Sequence, residues 1–381
     1  MKIGIITQPL QNNYGGLLQN WALQQILIKN GHDPVTIDWV AKKTPFWYML
    51  MSRFKYYILR SLGLSKVRLI YRPTKKESTI ISQNTIKFVN DNIIRTKIVN
   101  SSKGFLEEVQ KNKIGGLVVG SDQVWRPRYC KGHLLNMYLD FANHLSLKRV
   151  SYAASFGVDS WEYTKMETQA CSDLVKKFNL VTVREDSGAD LCKKYLDVNA
   201  SVVLDPTMLL NADDYIRLVN DNQTLKSNGN LFYYILDRTD SKCTLIKSIA
   251  NNYHMEPFTV MPQHSSSRLM KNDVRYDMAN CIYPPVFQWI RAFVDADMVV
   301  CDSFHGCVFS IIFNKPFWVL ANDGRGNTRF NSLLKTFGLE NRMIVSMRDV
   351  DSNTFIDWQK VNTIRNKMRE KSVGLLLKGL G

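Results

Sequence analysis

Val299-Val-Cys-Asp-Ser-Phe-His-Gly306, running on into Cys307-Val-Phe-Ser-Ile-Ile-Phe313, is the stretch whose reading decides the fold. Residues 297–301, apolar from Met298 on, form a short run with no polar face after Asp297, as a strand buried in a parallel sheet must be. Asp302 and Ser303 interrupt it with residue types that cap helices. Residues 306–313 then bring apolar side chains back at helical density. A strand that passes through a polar turn directly into a helix is half of a βαβ unit.

The same alternation extends outward in both directions. Further strand candidates are residues 2–7, 34–39, 116–120, 149–154, 180–184, 201–205, 231–236, 257–260 and 316–320. Helical patterns fall between them at 16–29, 103–112, 162–178, 186–195, 241–251 and 286–294, with a final one at 354–377. The alternation predicts an α/β protein with two Rossmann-like domains, each a doubly wound sheet, facing a cleft. The polar stretch 220–230 looks like a loop near the boundary. The expected division is 1–212, 213–350 and a C-terminal helix in 351–381.

Composition narrows the class. The chain has 381 residues, 45% hydrophobic and 22% charged, which suits two globular cores and excludes disorder, collagen and a disulfide miniprotein. No run of apolar residues is long enough to span a membrane. Met1-Lys-Ile-Gly-Ile-Ile reads directly as a strand with no signal peptide ahead of it. Seven scattered cysteines, without a Cys-x-x-Cys pair, point to a reducing cytoplasm. A formal net charge of +16 calls for an anionic partner.

Ligands of such folds bind at the carboxyl ends of strands, so the strand-to-helix turns are the candidate sites. Gln11-Asn-Asn-Tyr-Gly-Gly-Leu-Leu-Gln19 is a glycine turn that is neither Gly-x-Gly-x-x-Gly nor a Walker loop. Its Asn13, Tyr14 and Gln19 either meet a ligand or simply start a helix. In Gly120-Ser-Asp-Gln-Val-Trp125, Asp122, Gln123 and Trp125 either face a ligand or hold the turn together. Arg184, in Val183-Arg-Glu-Asp-Ser-Gly188, can fork onto a carboxylate or phosphate. Its local alternative is an ion pair with Glu185 or Asp186.

At Asp302-Ser-Phe-His-Gly306 the helix start offers free amides to an anion, and His305 can carry a proton near neutral pH. The plainer reading has Asp302 and Ser303 capping the helix while His305 packs locally. Asn322-Asp-Gly-Arg-Gly-Asn-Thr-Arg-Phe330 adds Arg325 and Arg329 in a glycine-rich loop. Metal is not expected: no histidines sit at ligand spacing, and Asp295-Ala-Asp297 and Asp349-Val-Asp351 read as structural. No Gly-x-Ser-x-Gly elbow supports a serine hydrolase.

Taken together and in order, these turns resemble the polysaccharide pyruvyl transferases. Ser151-Tyr-Ala-Ala-Ser-Phe-Gly157 and Leu204-Asp-Pro-Thr-Met-Leu-Leu210 belong to the matching set, which spans about residues 3 to 342. Cys301 departs from it, standing where a threonine is common. The resemblance implies a fold similar to the GT-B glycosyltransferases. It implies transfer of a pyruvyl group from phosphoenolpyruvate onto two hydroxyls of a sugar, forming a ketal on a surface polysaccharide or its lipid-linked precursor, with no cofactor and no metal. By matching motifs, Arg184 and His305 are the implied catalytic residues. Arg184, Ser303, His305, Gly306 and Arg325 are the implied phosphoenolpyruvate contacts. Asn13, Tyr14, Gly15, Gln19 and Asp122 are implied on the acceptor side. The alternatives are a nucleotide-sugar glycosyltransferase of GT-B type and a basic nucleic-acid-binding protein. Neither has a recognisable signature here, and nucleic acid is not expected as a partner.

One segment matches nothing in that family. Between Trp39 and Lys76 there is no acidic residue and there are ten basic ones, interleaved with aromatics. Phe46, Leu50, Phe54, Tyr57, Ile58 and Leu62 recur at helical steps, with Arg53, Lys55 and Arg60 to the sides and back. Three readings stand: a helix on an anionic membrane surface, placing the protein peripherally at the inner face of the cell membrane; a helix whose apolar face packs on the N-terminal domain; and a nucleic-acid surface.

Overall fold

The structure, a computed structural model, describes residues 1–41, 73–130, 132–266, 277–321, 328–351 and 355–381, together with Trp47, Leu50, Met51, Phe54, Ile58 and Ser61. Two parallel sheets organise it. The first contains β1 (Lys2–Ile6), β2 (Asp33–Thr36), β3 (Gly116–Val119), β4 (Lys148–Ala154), β5 (Leu180–Val183) and β6 (Ser201–Val202), in the order β2-β1-β3-β4-β5-β6. The second contains β7 (Leu231–Tyr234), β8 (Pro257–Phe258), β9 (Met298–Cys301), β10 (Phe317–Leu320) and β11 (Met343–Ile344), in the order β11-β10-β9-β7-β8. The expected α/β class with two Rossmann-like sheets is what the chain adopts.

Both orders reverse direction at one place, between β1 and β3 and between β7 and β9. In an open parallel sheet that is where the crevice for a ligand forms. All ten strand candidates are present, several of them shorter at the carboxyl end than the apolar runs suggest. The run 201–205 is the clearest case. Only Ser201–Val202 is a strand, because Pro206 starts a 3-10 turn and the Asp205 side chain caps it, accepting from Thr207 N at 3.0 Å. β11, two residues long, left no periodic signal.

A shared apolar core joins the halves. Tyr14, at the start of the Tyr14–Lys29 helix, stacks on Trp289 of the second half with ring centroids 5.8 Å apart. Its hydroxyl donates to Pro284 O at 2.7 Å. Tyr215, on the helix Ala212–Asp221, meets Trp21 on one side at 5.7 Å and Phe309 on the other at 4.9 Å. The last helix, Trp358–Leu380, returns to the first sheet. There Ser372 Oγ accepts from Leu204 N at 3.1 Å, and a Cβ on Gly379 would lie 2.8 Å from Leu180 Cβ. Among the described residues no helix is long and apolar enough to cross a membrane.

Within the basic segment Trp47, Leu50, Met51, Phe54, Ile58 and Ser61 are helical, and Leu50, Phe54 and Ile58 are exposed. These three side chains are therefore not packed in the core, as the second reading required of them. Phe46, Tyr57 and Leu62 lie outside the described residues.

Candidate active site

A cavity of about 530 Å³ opens where the two switch points face each other. That is within the roughly 300–1,000 Å³ range of small-molecule sites. From the first half, the loop after β1 contributes Gln8, Gln11, Asn12 and Asn13, and the loop after β3 contributes Asp122 and Gln123. The opposite wall is Ser303, Phe304 and His305 from the start of the helix Phe304–Ile312, with Arg329 from the helix Thr328–Phe337.

His305 is buried in that wall, and its position depends on a glycine. A Cβ on Gly15 would stand 2.1 Å from Cγ and Nδ1 of the imidazole, so only glycine lets the first helix approach the ring. On its other side, His305 Nε2 lies 3.6 Å from the Asp205 carboxylate. The pair joins a residue of the first half to one of the second. Burial raises the Asp205 carboxyl, but His305, Arg184 and the Thr207 hydroxyl outweigh it and hold the group below the usual carboxylate range.

Arg184 lies behind this wall and does not line the cavity. Its Nη1 is 2.9 Å from Asp205 and its Nη2 is 3.2 Å from Asp122, with the guanidinium 4.2 Å from the centre of the Phe304 ring. The expected partners Glu185 and Asp186 contribute little: Glu185 is 3.9 Å from Nε and instead accepts from Ser155 Oγ, Phe156 N and Gly157 N. Two buried carboxylates thus occupy the fork that the motif assigned to phosphoenolpyruvate. In this geometry Arg184 braces Asp122 and Asp205.

Among the described residues, Arg329 is the arginine lining the cavity. Gln123, with its amide oxygen turned toward it, accepts at 3.1 to 3.3 Å. Burial and the neighbouring charge of Arg184 lower the Arg329 pKa to about 10, so an anion beside it relieves an existing strain on its charge. The helix start adds to this. Ser303 makes no cap hydrogen bond, which leaves the first amides of Phe304–Ile312 without an intrahelical acceptor. Asp302 does not cap that helix either; it accepts from Leu236 N at 2.7 Å and from Lys242 Nζ at 2.6 Å, tying the ends of β7 and β9 together.

The remaining sequence candidates separate into two groups. Asn13 and Asp122 line the cavity, with Asn13 Nδ2 3.4 Å from Asp122 Oδ2. Tyr14 and Gln19 do not. Tyr14 belongs to the interdomain core, and Gln19 is fully buried, donating to Thr7 Oγ1 at 2.6 Å and accepting from Ser121 N at 3.0 Å. Gly306 is buried against Cys301, whose Cβ a side chain there would meet at 2.7 Å. Arg325 lies outside the described residues. Asp205 was missed as a site residue, although Leu204-Asp-Pro-Thr already marked it; a carboxylate before Pro reads locally as a cap. Among the described residues no group of three His, Cys, Asp or Glu side chains could hold a metal ion.

Among solved structures, UDP-GlcNAc 2-epimerase from Neisseria meningitidis bound to UDP-GlcNAc is similar at a TM-score of 0.50 and 10% identity, covering 100% of this chain and 99% of that one. The 2-epimerase from Methanocaldococcus jannaschii gives 0.47 and 13%, over 96% and 92%. At such identities the first likeness speaks for the two-domain fold alone. No curated protein sequence matches the chain significantly. The family model for polysaccharide pyruvyl transferase matches residues 13–324, a span that includes Gly15, Asp205 and His305, and the chain belongs to that family.

Proposed function

We propose that the protein transfers the pyruvyl group of phosphoenolpyruvate to two hydroxyls of one sugar, closing a cyclic ketal. The observation that carries this reading is His305 on the wall of the cavity beside Arg329, with the buried Asp205 carboxylate 3.6 Å from its Nε2. Phosphoenolpyruvate is a small, multiply charged anion. Arg329 and the open amides of the helix start offer it donors on one wall. The facing wall carries the neutral amides of Gln8, Gln11, Asn12, Asn13 and Gln123. Amides suit sugar hydroxyls, since each presents both a donor and an acceptor.

His305 supplies the proton. Asp205, 3.6 Å from Nε2, orients the ring, the part taken by a carboxylate beside a general acid. Protonation of the donor's methylene carbon makes C2 cationic, and one sugar hydroxyl adds there. The bond from C2 to the phosphate oxygen breaks, inorganic phosphate departs, and the second hydroxyl adds to close the ring. Of the two hydroxyl protons released, one balances the proton delivered to the new methyl group and the other leaves with phosphate.

The test is phosphate release from phosphoenolpyruvate in the presence and absence of sugar acceptors. Acceptor-dependent release is expected, with His305→Ala slower by about a hundredfold or more. Turnover of nucleotide sugars with no use of phosphoenolpyruvate would overturn the reading.

A further inference from the structure

Sixteen large apolar side chains are exposed among the described residues, and five of them, Trp47, Leu50, Met51, Phe54 and Ile58, fall within twelve consecutive positions. All five are helical, and they stand 41 to 66% exposed. Their spacing of three, one, three and four places them on a single helix face. A contiguous apolar stripe on a soluble domain marks a contact with something else.

The surrounding sequence identifies the partner's charge. No acidic residue occurs between Trp39 and Lys76, whereas Lys42, Lys43, Arg53, Lys55, Arg60, Lys66, Arg68 and Arg72 do. Arg53 and Lys55 fall among these apolar positions in the sequence, and Arg60 follows directly after them. An apolar face bordered by cations complements a surface with an apolar interior and an anionic edge, which is a lipid bilayer with acidic headgroups.

Position supports the same partner. The segment leaves β2, the edge strand of the first sheet, at its carboxyl end. That is also the edge on which the cavity opens. Beside that exit the stretch bridging to Thr36 and Trp39 exposes two more apolar side chains, Ile94 and Ile98.

We propose that this helix docks the protein on an anionic membrane surface, with the cavity on the same edge of the sheet as the docking face. The test is co-sedimentation of the full chain with vesicles of phosphatidylglycerol and phosphatidylethanolamine, against pure phosphatidylcholine. Binding is expected to the acidic vesicles at low salt, and release is expected as salt screens the charges. Leu50→Ser with Phe54→Ser, and separately Lys55→Gln with Arg60→Gln, should each lower the partition at least about tenfold. Both variants should keep the wild-type melting temperature. Wild type that ignores acidic vesicles, or either pair of substitutions binding as wild type does, overturns the proposal. So does a dimer in solution that Leu50→Ser with Phe54→Ser converts to monomer, since a second copy would then cover the stripe. Vesicle binding needs no phosphoenolpyruvate, so it succeeds or fails independently of the pyruvyl reading.

Discussion

Replacing Gly15 by alanine tests the site at its tightest point. The added Cβ would lie 2.1 Å from the imidazole of His305, whereas ordinary contact begins at 3.4 Å. The ring, or the helix carrying it, must therefore retreat by more than an ångström. Gly15 and His305 belong to opposite halves, so the other way to relieve the clash is for the halves to part. Either movement disturbs the 3.6 Å separation of Nε2 and Asp205. A misplacement of about 1 Å at a reacting group costs on the order of a hundredfold in rate. The expected result is a fall in kcat of that size for acceptor-dependent phosphate release, with a folded protein by circular dichroism. Gly374→Ala is the control. Nothing lies within 4 Å of a Cβ there, and the helix should gain about 0.5–1 kcal/mol with kcat unchanged. A Gly15→Ala enzyme turning over at the wild-type rate would refute the placement of His305.

Three further outcomes follow from the electrostatics. Arg184→Ala leaves Asp122 and Asp205 buried without their shared cation and should cost about 3–5 kcal/mol in urea unfolding; an unchanged midpoint would contradict its role as a brace. Arg329→Ala should leave the unfolding midpoint near wild type and raise KM for phosphoenolpyruvate roughly 10- to 100-fold, the loss of charge-assisted hydrogen bonds. Unaltered KM would remove Arg329 from the donor site. The folded Asp205 carboxyl titrates below its unfolded value, so its stabilisation is present above about pH 4 and is lost as pH falls through the lower, folded pKa. Wild-type stability should therefore decline on acidification below that point more steeply than that of Asp205→Asn, and parallel curves would exclude the linkage.

Much of the protein was readable locally. A strand buried on both faces needs an apolar run, and a helix needs capping and a 3.6-residue period; both are properties of neighbouring residues. The ten strand candidates, the α/β class and the turns carrying His305 and Asp122 could thus be found without coordinates. β11 escaped because two residues carry no period.

What sequence could not supply were relations between distant residues. Strand order is one, since hydrogen bonding across a parallel sheet leaves no mark on adjacent side chains; the facing switch points that make the cavity appeared only with the fold. Arg184 is another. From its neighbours it offered a free fork or an ion pair with Glu185, yet its partners Asp122 and Asp205 come from two other turns. Tyr14 and Gln19 look like site residues because they share a turn with Asn13, but helical geometry sends the three side chains in different directions, and only Asn13 faces the cavity. The residue types able to do the chemistry were determined by the sequence itself. Which of them stand at one cavity, and which brace it from behind, was decided by tertiary structure, because burial and charge pairing depend on where separate turns meet.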